Sequence, residues 1–221
     1  MSDFWERPEQ VERFAAREPD VRLQALVSRL GDPRRTRVLD LGCAAGRNAV
    51  FLASRGFDVT AVDTSSAMVE RTRRRLEPFV PAAELSRRVR IARMDDLSSV
   101  ASSSVDLLVA LGVYHQAEST AEWDRALGES ARVVRAGGLA LVSVFTPETD
   151  LTGEGIRALE ETHVYEGFPG GGRVYLVDAA TLDADMAHHG FLPDTPTETV
   201  RRVAGSERRS SVNARYRRSD R

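Results

Sequence analysis

Apolar positions along the chain alternate between short continuous runs and stretches at helical spacing, which predicts a succession of strand and helix units. Leu23, Leu26, Val27 and Leu30 recur at three- and four-residue intervals between Asp20, a cap, and the stop signals Gly31 and Pro33, so a helix precedes the first strand. Arg37 to Leu41 is a β-rich run broken by Gly42, Asn48 to Arg55 reads as a helix closed by Gly56, and Asp58 to Val62 is the second strand. Ser65 caps a helix to Glu77 whose inner face is Met68, Val69, Thr72 and Leu76, and Pro78 stops it. Val89 to Met94 follows as a third strand. Val105 to Leu111 is the most continuously apolar run and reads as a central strand covered on both faces. Trp123, Leu127, Ala131 and Val134 mark a helix ended by Gly137 and Gly138, and Leu139 to Phe145 is a fifth strand.

Five strands joined by four crossovers predict an α/β fold, a parallel sheet with helices on both faces. After Thr146 the texture changes. Residues 147–172 are polar, aromatic and glycine-rich, with at most one short helix near Ile156 to Thr162, and read as an insertion over the edge of the sheet. Arg173 to Val177 reads as another strand, Asp178 caps a helix with Leu182 and Met186 inward and Gly190 at its end, and Ser210 to Tyr216 is a last strand. The expected organisation is one domain over residues 1–221, with a helical cap at 1–34, a core at 35–145, and a cover with the final strands at 146–221.

Composition narrows the chemistry. Apolar residues are 42% and charged residues 29%, ordinary globular stock. All 31 basic residues are arginine, which removes lysine Schiff bases, a P-loop lysine and a lysine general base. It also suggests a GC-rich genome and is compatible with secondary metabolism. With 33 acidic residues the net charge is -2, so no basic excess draws the whole chain to nucleic acid. The lone Cys43 fits a reducing compartment, the start MSDFWERPEQ lacks a signal-peptide core, and no long apolar run occurs; a soluble cytoplasmic protein, monomer or homodimer, is the expectation.

The most informative segment is VLDLGCAAGRNAVFLASRGFDVTAVD, from Val38 to Asp63. A strand ends in Asp40, a tight turn runs from Gly42 to Gly46, a helix starts, and the second strand ends in an acid. Gly42 and Gly46 allow backbone to approach a ligand, and Asp63, about 20 residues past the turn, stands where a carboxylate can hold both hydroxyls of a ribose. The pattern describes a nucleoside-cofactor pocket. Ala44 stands where the dinucleotide fingerprint GxGxxG needs its second glycine, which counts against NAD.

With Asp40 just ahead of the turn, residues Val38 to Phe145 resemble the class I S-adenosylmethionine-dependent methyltransferases. That resemblance implies a Rossmann-like seven-stranded sheet in the order 3-2-1-4-5-7-6 with the last strand antiparallel. It implies S-adenosylmethionine as cofactor, Asp40, Gly42, Cys43, Ala44 and Gly46 around the methionine portion, and Asp63 on the ribose. Asp95 or Asp96, in RMDDL, would meet the adenine amino group and Leu97 would lie against the ring, while Asn48, Thr64 and Leu111 complete the expected cofactor set. A narrower likeness, GRNAVFLASRGFDV at Gly46 to Val59, is similar to the tellurite-resistance methyltransferases and their small-molecule relatives.

Methyl transfer from a sulfonium is an in-line displacement driven mainly by positioning, with a base optional. His115, after the fourth strand, is a candidate base or a structural histidine; Tyr114 orients an acceptor or packs. In the cover, Glu161, His163, Tyr165 and Phe168 have the composition of a substrate wall, with Tyr165 as a third candidate, or belong to an ordinary edge loop. Phe4 and Trp5 either fold over the cofactor or staple the first helix. The adjacent His188 and His189 point different ways on a helix, so no metal site is expected, and Cys43 reads as a small loop residue. Neither asparagine, Asn48 nor Asn213, begins an NPPY-type motif, and the arginine clusters at 71–75 and 201–218 read as solvated faces. The expected partner is therefore a small-molecule acceptor atom, O, N, S or a heavier chalcogen, with neither nucleic acid nor membrane. The alternatives are a nicotinamide oxidoreductase, an RNA-directed methyltransferase, and an adaptor that keeps the fold without turnover.

Overall fold

Residues 3–220 are described by the computed structural model. The cap contains α1 (Pro8–Ala15) and α2 (Val21–Val27), the latter capped by Asp20, whose carboxylate accepts from the Arg22 amide at 2.9 Å. Then β1 (Arg37–Leu41), α3 (Arg47–Ala53), β2 (Asp58–Asp63), α4 (Ser66–Leu76), α5 (Ala82–Arg88) and β3 (Val89–Ile91) follow in chain order. Ser65 caps α4, and Met68, Val69, Thr72 and Leu76 are its buried face, as the periodicity predicts. The core continues through β4 (Val105–Leu111), α6 (Thr120–Val133) and β5 (Val134–Phe145). Short strands β6 (Arg157–Ala158), β7 (Val164–Glu166) and β8 (Val174–Tyr175) form a separate antiparallel sheet, after which come α7 (Ala179–His188), β9 (Phe191–Pro193), β10 (Glu198–Ala204) and β11 (Glu207–Arg218).

The main sheet runs β3-β2-β1-β4-β5-β11-β10, with its first five strands parallel and β11 antiparallel to both neighbours. This is the 3-2-1-4-5-7-6 order of the Rossmann-like expectation. Alternation along β4 divides the core: Leu108 and Ala110 face α6 and α7 with Trp123, Leu127, Leu182 and Met186, while Leu107 and Val109 face α2, α3 and α4 with Leu23, Leu52 and Val69. Among the described residues no helix is long and apolar enough to cross a membrane.

Four elements differ from the sequence reading. The sixth strand of the sheet is β10, with β9 pairing the far end of β11; Arg173 to Val177 contributes only β8, to the small sheet. Ile156 to Thr162 holds β6 rather than a helical turn, because Arg157 and Ala158 pair with Glu166 and Tyr165. Gly137 and Gly138 do not end a helix. They lie inside β5, where Gly137 has φ +71° and the pairing with β4 shifts register. The polar helix α5 carries no buried residue and gave no apolar period.

The amino-terminal turn is tied down by charge. Glu6 accepts from the Ser66 and Ala67 amides and the Ser66 hydroxyl, each at 3.0 Å, at the start of α4, where a carboxylate is favoured by the helix dipole. The Ser65 hydroxyl donates to the Trp5 carbonyl, and Trp5 packs edge-on to Phe14 at 5.4 Å.

Candidate functional site

At the carboxyl ends of β1, β2 and β4 the chain must turn tightly, and the turn after β1 is built from backbone approach. The Gly42 and Cys43 amides both donate to the Val62 carbonyl at 2.9 Å, drawing the turn onto β2. Gly42 has φ +70°, and a Cβ there would lie 2.7 Å from the Cβ of Val113; Gly46 has φ +80°, and a Cβ there would meet the Thr72 side chain at 2.9 Å. Ala44 also has positive φ, +47°, and is held by its amide donating to Asp63 Oδ2 at 2.8 Å and by its carbonyl accepting from the Thr72 hydroxyl at 2.7 Å.

Asp63 organises this corner. Its Oδ1 accepts from the Ser65 amide at 3.0 Å, so each oxygen holds one backbone donor and keeps a lone pair for the cleft that Asp63 lines. Burial pushes its pKa up, against the pull of those amides. Asp40 lies behind the turn, 2% exposed, with Oδ2 lacking any hydrogen-bond partner. Burial raises its pKa to about 7; nearby Arg47 opposes the rise and Asp63 adds to it. Cys43 is buried and burial pushes its thiol well above the usual range, so it is no nucleophile.

The cleft measures about 370 Å³, within the span of small-molecule sites. Of the expected residues, Gly42, Cys43, Ala44, Asn48, Asp63, Thr64 and Leu111 line it. Gly46 and Asp40 support the turn from behind. The third-strand acids lie elsewhere: Asp95 is held by Arg93 and Arg125 at 2.8 and 2.9 Å, Asp96 is exposed and caps the Ser98 amide, and Leu97 is buried in the core; Ala92, Arg93 and Met94 border the cleft instead.

The candidate catalytic residues also sit outside the lining. Tyr114 is wholly buried, its hydroxyl 2.6 Å from that of Ser130, and burial raises its pKa. His115 is 3% exposed beneath Gly112, its ring 4.5 Å from that of Phe145, and Nδ1 has no partner. Burial, with Arg209 nearby, lowers its pKa to about 3. Tyr165 packs in the cluster of Phe168, Val174 and Leu176. The residues missed are Gln116, Glu118 and Arg173, which line the cleft and have no side-chain hydrogen bond or ion pair among the described residues, and Phe14 and Met68. Their signal was geometric: residues 114–116 form a 3₁₀ turn, in which positions three apart share a side, so Val113 and Gln116 face the cleft while Tyr114 and His115 turn inward. Trp5 and Phe168, both singled out in the sequence, line it too.

A doubly wound sheet with a glycine turn, an acid at the end of the second strand and a cleft at the strand ends defines a nucleoside-cofactor α/β protein. Residues 38–138 match the methyltransferase domain family. The chain is similar to the ribosomal RNA small subunit methyltransferase C of Chromohalobacter salexigens, 35% identical over 124 residues, which is 55% of this chain and 35% of that protein. It spans 35–42% of the length of the curated relatives it matches. Among solved structures it is similar to an S-adenosylmethionine-dependent methyltransferase from Methanosarcina mazei, with TM-score 0.68 and 16% identity over 88% of this chain and 97% of that one. It is also similar to the Burkholderia thailandensis 1,6-didemethyltoxoflavin-N1-methyltransferase with bound 1,6-didemethyltoxoflavin and S-adenosylhomocysteine, with TM-score 0.65 and 18% identity over 99% and 82%. The match over residues 38–138 is to a methyltransferase domain, and the fold is one shared with solved S-adenosylmethionine-dependent methyltransferases. The site fits S-adenosylmethionine: Asp63 has acceptor capacity for two hydroxyls, Gly42 and Ala44 bring backbone to the cleft wall through positive φ, and Asp40 holds an unpartnered oxygen behind the turn.

Proposed function

We propose that this chain transfers the methyl group of S-adenosylmethionine to a small-molecule acceptor, chiefly by positioning. The observation that carries the reading is Asp63, fixed by the Ala44 and Ser65 amides with both oxygens still able to accept at the cleft. When bound, the cofactor supplies an electrophilic methyl on a sulfonium. Asp63 orients the ribose, and the Gly42–Ala44 turn and Gly112–Val113 confine the cofactor's reacting end. Trp5, Phe14 and Phe168 exclude water, and Gln116, Glu118 and Arg173 offer unpartnered donors and acceptors to the acceptor molecule. His115 takes no proton in this scheme: a buried imidazole with pKa near 3 is a weak base at neutral pH, and its ring shapes the floor under Gly112. The acceptor is an atom nucleophilic without that help, and the protein works in the cytoplasm as a monomer or homodimer. The nucleotide-oxidoreductase alternative has no support in the family match.

Calorimetric titration with S-adenosylmethionine, S-adenosylhomocysteine and NADH tests this directly. Binding of the two sulfur nucleosides alone is expected, and Asp63→Ala, which removes two charge-assisted hydrogen bonds, weakens it by about 2–4 kcal/mol. Unchanged affinity in that variant, or binding of NADH alone, refutes the reading.

A further inference from the structure

Six arginines from three parts of the chain lie within electrostatic reach of one another. One of them is in the cleft wall, and two, Arg202 and Arg209, are cross-strand partners in register, in an adjoining pocket that also holds Glu148 and Asp150. Arg13, Arg17 and Arg22 come from the cap, Arg47 opens α3 and lines the cleft, and Arg202 and Arg209 come from β10 and β11. Several arginines elsewhere share acids, as Arg37 and Arg135 share Asp106 and Arg215 and Arg217 share Asp194, while others, such as Arg29, Arg34 and Arg35, have no ion pair among the described residues and are not part of any cluster. Here only Arg22 is ion-paired, to Asp20, and the other five have no ion pair among the described residues. Burial, then the like charges of Arg202, Arg47, Arg22 and Arg13, lower the pKa of Arg209; burial, then Arg47, Arg13 and Arg209, do the same to Arg17.

Two of these guanidiniums lie over aromatic rings that lead to the cleft. Arg17 sits 4.1 Å from the ring centre of Phe14, which lines the cleft. Arg209 sits 5.0 Å from that of Phe145, whose ring is 5.5 Å from the cleft-lining Phe168. A guanidinium laid over a ring keeps its N–H edge free for an oxyanion, and its planar fork suits phosphate and carboxylate. Asp20 offsets Arg22 and Arg47, and Asp40 acts on Arg47, but no acid is among the groups acting on Arg17 or Arg209. Positive charge that outnumbers its counter-ions repels itself and favours binding of an anion.

We propose that this cluster is an anion subsite that holds a phosphate or carboxylate group of the acceptor, so that the methylated substrate is a small, multiply charged anion. The proposal rests on the methyl-transfer reading, because the cleft receives the other end of the same molecule. The two are separated by titrating the full chain with inorganic pyrophosphate, with citrate and with S-adenosylhomocysteine. Saturable binding of pyrophosphate, citrate or both is expected, weakened at least tenfold by Arg209→Gln and by Arg13→Gln. Arg209→Lys, which keeps the charge, and Arg87→Gln, on exposed α5, retain it. S-adenosylhomocysteine binds all these variants alike; its failure to bind the wild type refutes the methyltransferase reading and leaves the anion measurement standing. Pyrophosphate alone identifies a phosphate ester, and citrate alone a polycarboxylate. Absent anion binding, or binding insensitive to Arg209→Gln, overturns the proposal. So does a short single-stranded RNA that binds a hundredfold tighter than pyrophosphate through the same arginines, which makes the partner a nucleic acid.

Discussion

Two buried ionisable groups with opposite shifts make the stability of this protein respond to pH in a way that can be dissected by mutation. His115, with an unfolded pKa near 6.5 and a folded value of about 3, contributes stability that is full above 6.5 and is lost as pH falls toward 3. Asp40 runs the other way: with an unfolded value of 3.8 and a folded value of about 7, its contribution is full below 3.8 and is lost as pH rises through 7. Between pH 5 and 6.5 both are in play, and integrating the linkage relation over that window gives about 2 kcal/mol for each, with opposite signs. The wild type is therefore nearly flat there with respect to this pair. Paired carboxylates such as Asp20, Asp106 and Asp194, whose pKa values are lowered, lose their contributions only at more acid pH. In His115→Gln the Asp40 slope is left uncompensated and stability falls between pH 5 and 6.5. In Asp40→Asn it rises, and the double variant loses both of these opposed slopes. About 2 kcal/mol corresponds to roughly 4–8 °C in a chain of this size. Thermal melts at half-unit pH steps read the slope, which is insensitive to the constant loss of packing each substitution brings. Parallel profiles for all four proteins refute the reasoning.

Three further perturbations test the site. Gly42→Ala forces an alanine to φ +70° with its Cβ 2.7 Å from that of Val113, so the turn shifts, the melting temperature falls by several degrees and S-adenosylhomocysteine binding measured by calorimetry weakens at least tenfold. Tyr114→Phe deletes the hydroxyl bonded to Ser130, a loss of about 1 kcal/mol in urea unfolding, and leaves methyl-transfer turnover within twofold of wild type. Glu6→Ala releases three hydrogen bonds at the start of α4, and in a Trp123→Phe background the Trp5 emission shifts to the red as the amino-terminal turn lifts from the cleft.

The central sheet was legible because each of its parallel strands is an apolar run bounded by glycine or polar residues, and because β11 alternates inward Val212, Ala214 and Tyr216 with outward arginines and Asn213. What stayed hidden lacks that periodic contrast. β10 has no buried residue, and its place is fixed only by backbone pairing with β11, so no hydrophobic period announces it. α5 has no fully buried residue, only Leu85 resting partly against the core, and β6 and β8 are two-residue strands defined by each other through β7. Gly137 and Gly138 look like a helix stop, yet the helix ends at Val133, and the glycines permit the positive φ and the close approach that a bulge in β5 requires.

Within the site, the expected residues that line the cleft or form its turn are placed by backbone geometry, and those that lie outside the lining were chosen for side-chain chemistry. Gly42, Ala44 and Asp63 follow from the strand-turn-strand pattern, because the turn can close only where φ is positive and only onto the end of β2. His115 and Tyr114 have attractive chemistry at the correct place in the chain, but a 3₁₀ turn decides which side chains face the cleft, and its three-residue period turns both into the core. The same period returns Gln116 to the lining. Asp95 and Asp96 lie outside the lining for a related reason: Arg93 and Arg125 hold Asp95 and the Ser98 amide donates to Asp96, so the cleft is bordered by the residues just before them. Chain position thus locates the edge of a site, while the local helical or turn period selects the residues that enter it.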